Sequence, residues 1–267
     1  MARAPPPMLA PMFPRVTAVL VVQHGGEHLA TTLQALRGQL RPSDGLAVVL
    51  MRSDEPTRAL VEDAQPDHLV RLESVLPFGR AVLAVESTLP DPASDDEALW
   101  LLTDDAAPEP GALDALVSTL ATARSAAIVA PKLVSWDEPA RILRFGRSMT
   151  RTGRSLAIVD DELDQGQHDD LSDVLGADPV GMLVRHAVWR RLGGFDPALA
   201  TIDDGLDLGM RARLAGHRVV AVPAARIGRS SVIEALPAAC WSGVLPRCPA
   251  VSSNNRPSQA GTSRRRL

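Results

Sequence analysis

Residues 99–111 read Leu-Trp-Leu-Leu-Thr-Asp-Asp-Ala-Ala-Pro-Glu-Pro-Gly. A short apolar run stops at two adjacent carboxylates, Asp104 and Asp105, before a Pro-Glu-Pro-Gly turn. This pattern predicts a buried strand carrying acids to its C-terminal end, the edge where open α/β sheets place their ligands. Hard carboxylate oxygens there suit a divalent cation, Mg or Mn. The same residues also suit a plain polar strand end, followed by a helix with acids in its first turn. A second acidic pair, Asp203-Asp204, precedes Leu206, Met210 and Leu214, which share one helical face. A helix start favours ionised carboxylates through its dipole, and an acid there can also serve as a cap. His24 and His28 flank Gly25-Gly26, and as isolated residues they read first as surface or capping histidines.

These groups need a scaffold, and the flanking pattern supplies one. Residues 16–22 form a β-branched apolar run, the mark of a buried parallel strand. After the Gln23-His24-Gly25-Gly26 turn, Leu29, Leu33, Leu36 and Leu40 fall at helical spacing. Strands are predicted at 46–51, 69–72, 98–102 and 126–130, the last closed by Pro131. Helices are predicted over 58–64, from Phe78, and around Leu113, Leu116, Val117 and Leu120. The resulting β-α alternation is that of a doubly wound sheet with right-handed crossovers. Residues 136–175 suggest hairpins and an excursion loop. A strand over 180–184, a helix over 187–192, a helix after Asp204 that stops at Gly216, and a strand over 219–222 closed by Pro223 complete the domain. A Pro-rich leader (1–14), one domain (15–227) and a low-order basic tail (228–267) are expected.

With 45% hydrophobic and 22% charged residues, 267 residues suffice for a sizeable core. Aromatics make up 3% and Tyr is absent, so that core must be Leu, Val and Ala. A net charge of −4 provides no basic field for nucleic acid. Cys240 and Cys248 are too few and too late for a disulfide framework, which fits a reducing compartment. Prolines at 5, 6, 7, 11 and 14 break any signal-peptide core, and no apolar run reaches the length of a membrane span. A cytoplasmic protein is expected, and Arg264-Arg265-Arg266 leaves peripheral contact with the inner membrane face open. A Gly-x-Gly-x-x-Gly after the first strand is missing, which excludes a dinucleotide-binding oxidoreductase.

Taken in order, the motifs over residues 15–227 resemble glycosyltransferase family 2. Phe78-Gly79-Arg80-Ala81-Val82 looks like the family's Gly-Phe-Gly-x-Ala segment, and residues 101–111 are similar to its Leu-Asp-x-Asp-x-x-Pro-x-Pro-Gly. Gly181-Met182-Leu183-Val184-Arg185, Leu192-Gly193-Gly194-Phe195-Asp196, Asp203-Asp204-Gly205-Leu206-Asp207-Leu208 and the Ala215-Gly216-His217-Arg218-Val219 exit follow the family order. The resemblance implies a GT-A α/β domain with a mostly parallel central sheet flanked by helices. It implies inverting transfer from a nucleotide-diphosphate sugar, a UDP-sugar first, to a lipid-linked or polysaccharide acceptor, as in actinobacterial cell-envelope enzymes. Asp105 then matches the metal-binding Asp of the Asp-x-Asp motif and Asp104 its middle position. Thr103 stands where the first Asp serves the ribose or a metal water, and it brings a hydroxyl without charge. Weaker metal affinity follows. Asp204 takes the place of the general base, with Asp203 beside it, and Asp207 would orient the helix or a basic partner. Asp54 would read the uracil or ribose, or be a turn residue. His24 would border the base pocket.

Two family features are missing. Residues 225–229, Ala-Arg-Ile-Gly-Arg, lack the His that often serves as a further metal ligand, and no Gln-x-x-Arg-Trp acceptor motif follows. A catalytically weak GT-A domain that binds nucleotide sugar or scaffolds a partner is therefore the alternative. A nucleotidyltransferase would need cations in the first glycine loop, and Gln23-His24-Gly25-Gly26-Glu27 has none of Arg or Lys.

Overall fold

The structure is a computed structural model that describes residues 14–199 and 203–230. Its first half follows the alternation of apolar runs and helical stripes: β1 (Arg15–Val22), α1 (Glu27–Arg37), β2 (Gly45–Met51), α2 (Glu55–Asp63), β3 (His68–Leu72), α3 (Phe78–Glu86) and β4 (Glu97–Thr103). β1 pairs in parallel with both β2 and β4, and β2 with β3. Then come β5 (Ala106–Pro108), α4 (Ala112–Thr122), β6 (Ala126–Ser135), β7 (Arg141–Met149), β8 (Ser155–Leu163), β9 (Asp173–Val174), β10 (Leu183–Arg185), α5 (His186–Leu192), α6 (Asp204–Leu214) and β11 (Arg218–Arg229). The sheet order is β3-β2-β1-β4-β10-β6-β11-β5. β10 runs antiparallel between β4 and β6, whereas β11 is parallel to β6.

Alternation along β4 divides the core into two layers. Trp100 and Leu102 face α1 and α4 through Leu33, Leu36, Leu113 and Leu116. Leu99 and Leu101 face the opposite layer, where Val82, Val85, Trp189 and Leu208 come from α3, α5 and α6. Helices thus cover both faces of a mostly parallel sheet, as its near-continuous apolar strands require. Among the described residues no helix is long and apolar enough to cross a membrane.

The second half departs from the sequence reading at its prolines. β6 does not stop at Pro131 but continues to Ser135. Pro131 falls between the residues bonded to β10, Ile128 and Val129, and those bonded to β7, Leu133 and Val134, so its missing N–H costs no ladder bond on that side. β11 likewise passes Pro223, which lies in a register shift between Val222 and Arg226. The extension carries Arg229 alongside β5 and Arg226 beside Glu109, just beyond it. β10 is shorter than expected and begins at Leu183. Residues 141–163 form the expected hairpin, β7 against β8.

Lys132 on β6 is 2% exposed. Its ammonium donates to Asp164 at 3.0 Å and Asp169 at 2.6 Å, with the Phe145 ring beneath it. Arg226 ties Asp164 to Glu109, so one ion cluster joins β6, the segment after β8, and β11. Most of the leader (1–13), Thr201 and Ile202, and the tail from 231, with Cys240, Cys248 and Arg264 to Arg266, lie outside the described residues.

Candidate active site

The register of β4 against β1 decides what each acid of the pair does. The Asp104 amide continues the ladder onto the Val21 carbonyl at 3.1 Å, which turns its side chain under the β1–α1 loop. Asp104 Oδ2 accepts the backbone amides of Gln23, His24 and Gly25 at 3.0, 2.7 and 2.7 Å. Thr32 donates to its carbonyl. Asp104 is 2% exposed. Burial pushes its pKa up, but the His24 ring and the loop amides outweigh that and hold it below the ordinary carboxylate value. The same contact raises the pKa of His24, against the effect of its burial.

Gly25 has φ +66°, and a Cβ there would lie 2.3 Å from Thr57 Oγ1, so this loop position requires glycine. Between this loop and the end of β2 lies a cavity of about 190 Å³, bordered by His24, Gly25, Met51, Arg52, Asp54 and Thr57. His24 and Asp54 are thus brought to one cavity. Asp54 also caps α2, its Oδ1 accepting the Thr57 amide at 3.0 Å, and this side-chain and backbone contact with Thr57 lowers its pKa.

Asp105 points elsewhere. It is 3% exposed, and its Oδ1 accepts the Thr103 hydroxyl at 2.5 Å. Its Oδ2 lies 3.4 Å from Arg229 Nη2. Thr103 and Asp105 therefore form one unit, while Asp104 belongs with His24 and the β1–α1 loop. Among the described residues no three side chains of the metal-ligating types cluster. A single carboxylate still fits a hard cation whose remaining ligands are water and a nucleotide's phosphates, which is the usual arrangement for Mg.

The second acidic pair sits where α6 begins. Asp203 holds the N-cap position but its side chain makes no capping bond. Asp204 is 1% exposed, and its Oδ1 has no hydrogen-bond partner. Burial, followed by the charges of Asp207, Asp196 and Asp203, raises its pKa from 3.8 to about 6. α3 approaches so closely that a Cβ on Gly79 would stand 2.7 Å from Asp204 Oδ2. Asp203 Oδ1 lies 3.9 Å from Arg147 Nη1, and the buried Arg147 Nε has no hydrogen-bond partner. Arg147, Asp203 and Asp204 thus each carry a buried polar atom without a hydrogen-bond partner, and Arg147 and Asp203 approach one another. Asp207 grips Arg211, which donates to the carbonyls of Leu192 and Gly194 and so fixes α6 to the Gly-Gly-Phe-Asp turn.

Two residues of this region escape sequence reasoning. Arg147 lies in a hairpin with no motif around it. Arg229 was visible only as a place without His, because its approach to Asp105 depends on β11 crossing Pro223.

A mostly parallel sheet with acids at its C-terminal edge, and a buried carboxylate opening a late helix across from Gly79, defines the class as a GT-A glycosyltransferase domain. The sequence model of the family described as Glycosyltransferase like family 2 matches residues 14–259, and the chain belongs to that family. Among solved structures it is similar to GalNAc-T7 with UDP, GalNAc and Mn2+, at 13% identity and a TM-score of 0.60 over 82% of this chain and 44% of that one. It is also similar to TarS of S. aureus in complex with UDP-GlcNAc, at 13% identity and TM-score 0.56 over 81% of this chain and 59% of that one. The mannosyltransferase PcManGT from Pyrobaculum calidifontis, in complex with GDP-Man and Mn2+, aligns at 15% identity and TM-score 0.54 over 82% and 58% of the two chains. The chain thus spans about half the length of these structures. At such identities the likeness shows the fold. No curated protein matches the chain.

Proposed function

We propose that this protein transfers a glycosyl group, with inversion, from a nucleotide-diphosphate sugar to a lipid-linked or polysaccharide acceptor of the cell envelope. A UDP-sugar is the donor we favour. Complexes of the structural neighbours with UDP or GDP-Man and Mn2+ support a nucleotide-sugar donor and a divalent cation in general terms. The observation that carries the reading is the division of labour between adjacent acids. Asp104 spends its carboxylate on three loop amides and so shapes the cavity that His24 and Asp54 border. Asp105, steadied by Thr103 and paired with Arg229, is the carboxylate that would share a cation with the donor's phosphates.

A divalent cation held there would neutralise the diphosphate as it leaves. At the other end Asp204, ionised above pH about 6, takes the proton of the acceptor hydroxyl. The acceptor oxygen bonds to the anomeric carbon as the bond to the diphosphate breaks, and one such displacement inverts the centre. Asp203 flanks the base. A lipid-linked acceptor would bring the protein to the inner membrane face as a peripheral partner. A second reading, a nucleotide-sugar-binding module with weak transfer, draws on Thr103 at the first acid position and on the ion pair of Asp105 with Arg229.

Calorimetric titration with UDP, with and without Mn, tests the donor site. Mn should tighten UDP binding, and Asp105→Ala should lose that gain by at least about tenfold, the size of one charge-assisted contact. Mn without nucleotide should bind weakly, since the protein offers it one carboxylate. Folded protein that binds UDP in neither condition overturns the donor reading.

A further inference from the structure

Arg229 ends β11, and its backbone is fixed on both sides. It pairs with Ala106 on β5 and with Ser135 on β6, and its carbonyl accepts the Trp136 amide at 2.8 Å. Ala106 directly follows Asp105, so this register sets the guanidinium against the Asp105 carboxylate. Side-chain exposures are 11% for Arg229 and 4% for Asp105.

Desolvating two charges offsets much of their attraction, and a well-packed apolar pair commonly does as well. Arg229 Nη2 reaches Asp105 Oδ2 at 3.4 Å. Asp105 already accepts the Thr103 hydroxyl on its other oxygen. What the arrangement does provide is a positive charge, with planar donors suited to phosphate, delivered by a rigid strand to the edge where the donor reading puts the diphosphate.

We propose that Arg229 is a diphosphate-binding residue, which gives the donor site a phosphate contact of its own beside any cation on Asp105. The proposal rests on the donor reading above. Two consequences are measurable. Part of the affinity for the diphosphate should persist without metal. Arg229 should also compete with a cation for Asp105, because both use the same carboxylate.

The experiment measures binding of UDP and of uridine in EDTA, and of Mn alone by electron paramagnetic resonance, for wild type, Arg229→Ala and Arg229→Gln. Thermal melting confirms folding, and the glutamine variant serves if the alanine variant fails to fold. In EDTA the wild type should bind UDP at least about tenfold more tightly than uridine, the worth of one charged hydrogen bond. Both variants should lose that preference and bind Mn several-fold more tightly. A folded variant that keeps the wild-type UDP-over-uridine ratio in EDTA overturns the proposal while leaving the donor site standing, provided UDP with Mn still binds. Failure of the wild type to bind UDP even with Mn removes the donor reading and this proposal together.

Discussion

Asp204→Asn should abolish glycosyl transfer while leaving UDP binding intact and raising stability at pH 8. The loss expected on removing a positioned general base is about 10²–10⁴-fold. In the wild type the rate should rise with pH and level off above about 6, because only the ionised carboxylate accepts the hydroxyl proton. The stability effect has the opposite sign to the catalytic one. Folding raises this group's pKa from 3.8 to about 6, so the folded protein holds the proton more tightly than the unfolded chain. Its favourable contribution is complete below pH about 4 and is lost as pH rises through about 6. Above that, the fold carries a buried carboxylate with an oxygen lacking a partner. A neutral amide of equal size relieves this by about 1–2 kcal/mol, and the gain should vanish at pH 3. Turnover near the wild-type rate would falsify the base assignment, and a lower melting temperature at pH 8 would contradict the strained carboxylate.

Asp104→Ala should be the most destabilising change at the site. It strips the acceptor from three amides in a loop whose glycine conformation is already demanding. Each orphaned donor costs about 1–3 kcal/mol, so a loss of about 3 kcal/mol or more is expected in urea unfolding at pH 7. UDP affinity should fall with it although Asp105 is untouched, because the loop borders the cavity of His24 and Asp54. The pH dependence mirrors that of Asp204. This carboxylate's pKa is lowered by folding, so its contribution is present above pH about 4 and drains away as pH falls further. Unfolding curves for wild type and variant should therefore converge in acid. Equal stability at pH 7 would show that the loop holds itself.

The first four strands and their helices were legible because their apolar runs are regular and are separated by polar, Gly- or Pro-containing turns. The second half was harder for a physical reason. Proline normally ends a strand, yet Pro131 lies in a gap between neighbouring ladders and Pro223 in a bulge, and neither circumstance can be seen without the partner strands. The acids at 104 and 105 were visible as a pair but not as two different groups. Their separation follows from the Val21–Asp104 hydrogen bond, which is a matter of register and not of composition. Arg147 comes to Asp203 by hairpin packing across 56 residues of chain (203 minus 147), beyond the reach of any local pattern.

The ion cluster beneath β6 also has a use at the bench. Lys132 is the single lysine of these 267 residues, and its ammonium is buried between Asp164 and Asp169. Amine-directed reagents therefore find no accessible lysine on the folded domain. Acylation at that position requires the segment carrying Asp164 and Asp169 to move off the ammonium, so its rate reads the opening of this region. Mass-spectrometric timing of that one modification should slow if a bound nucleotide steadies β11, whose Arg226 holds Asp164 in place, and it needs no engineered probe.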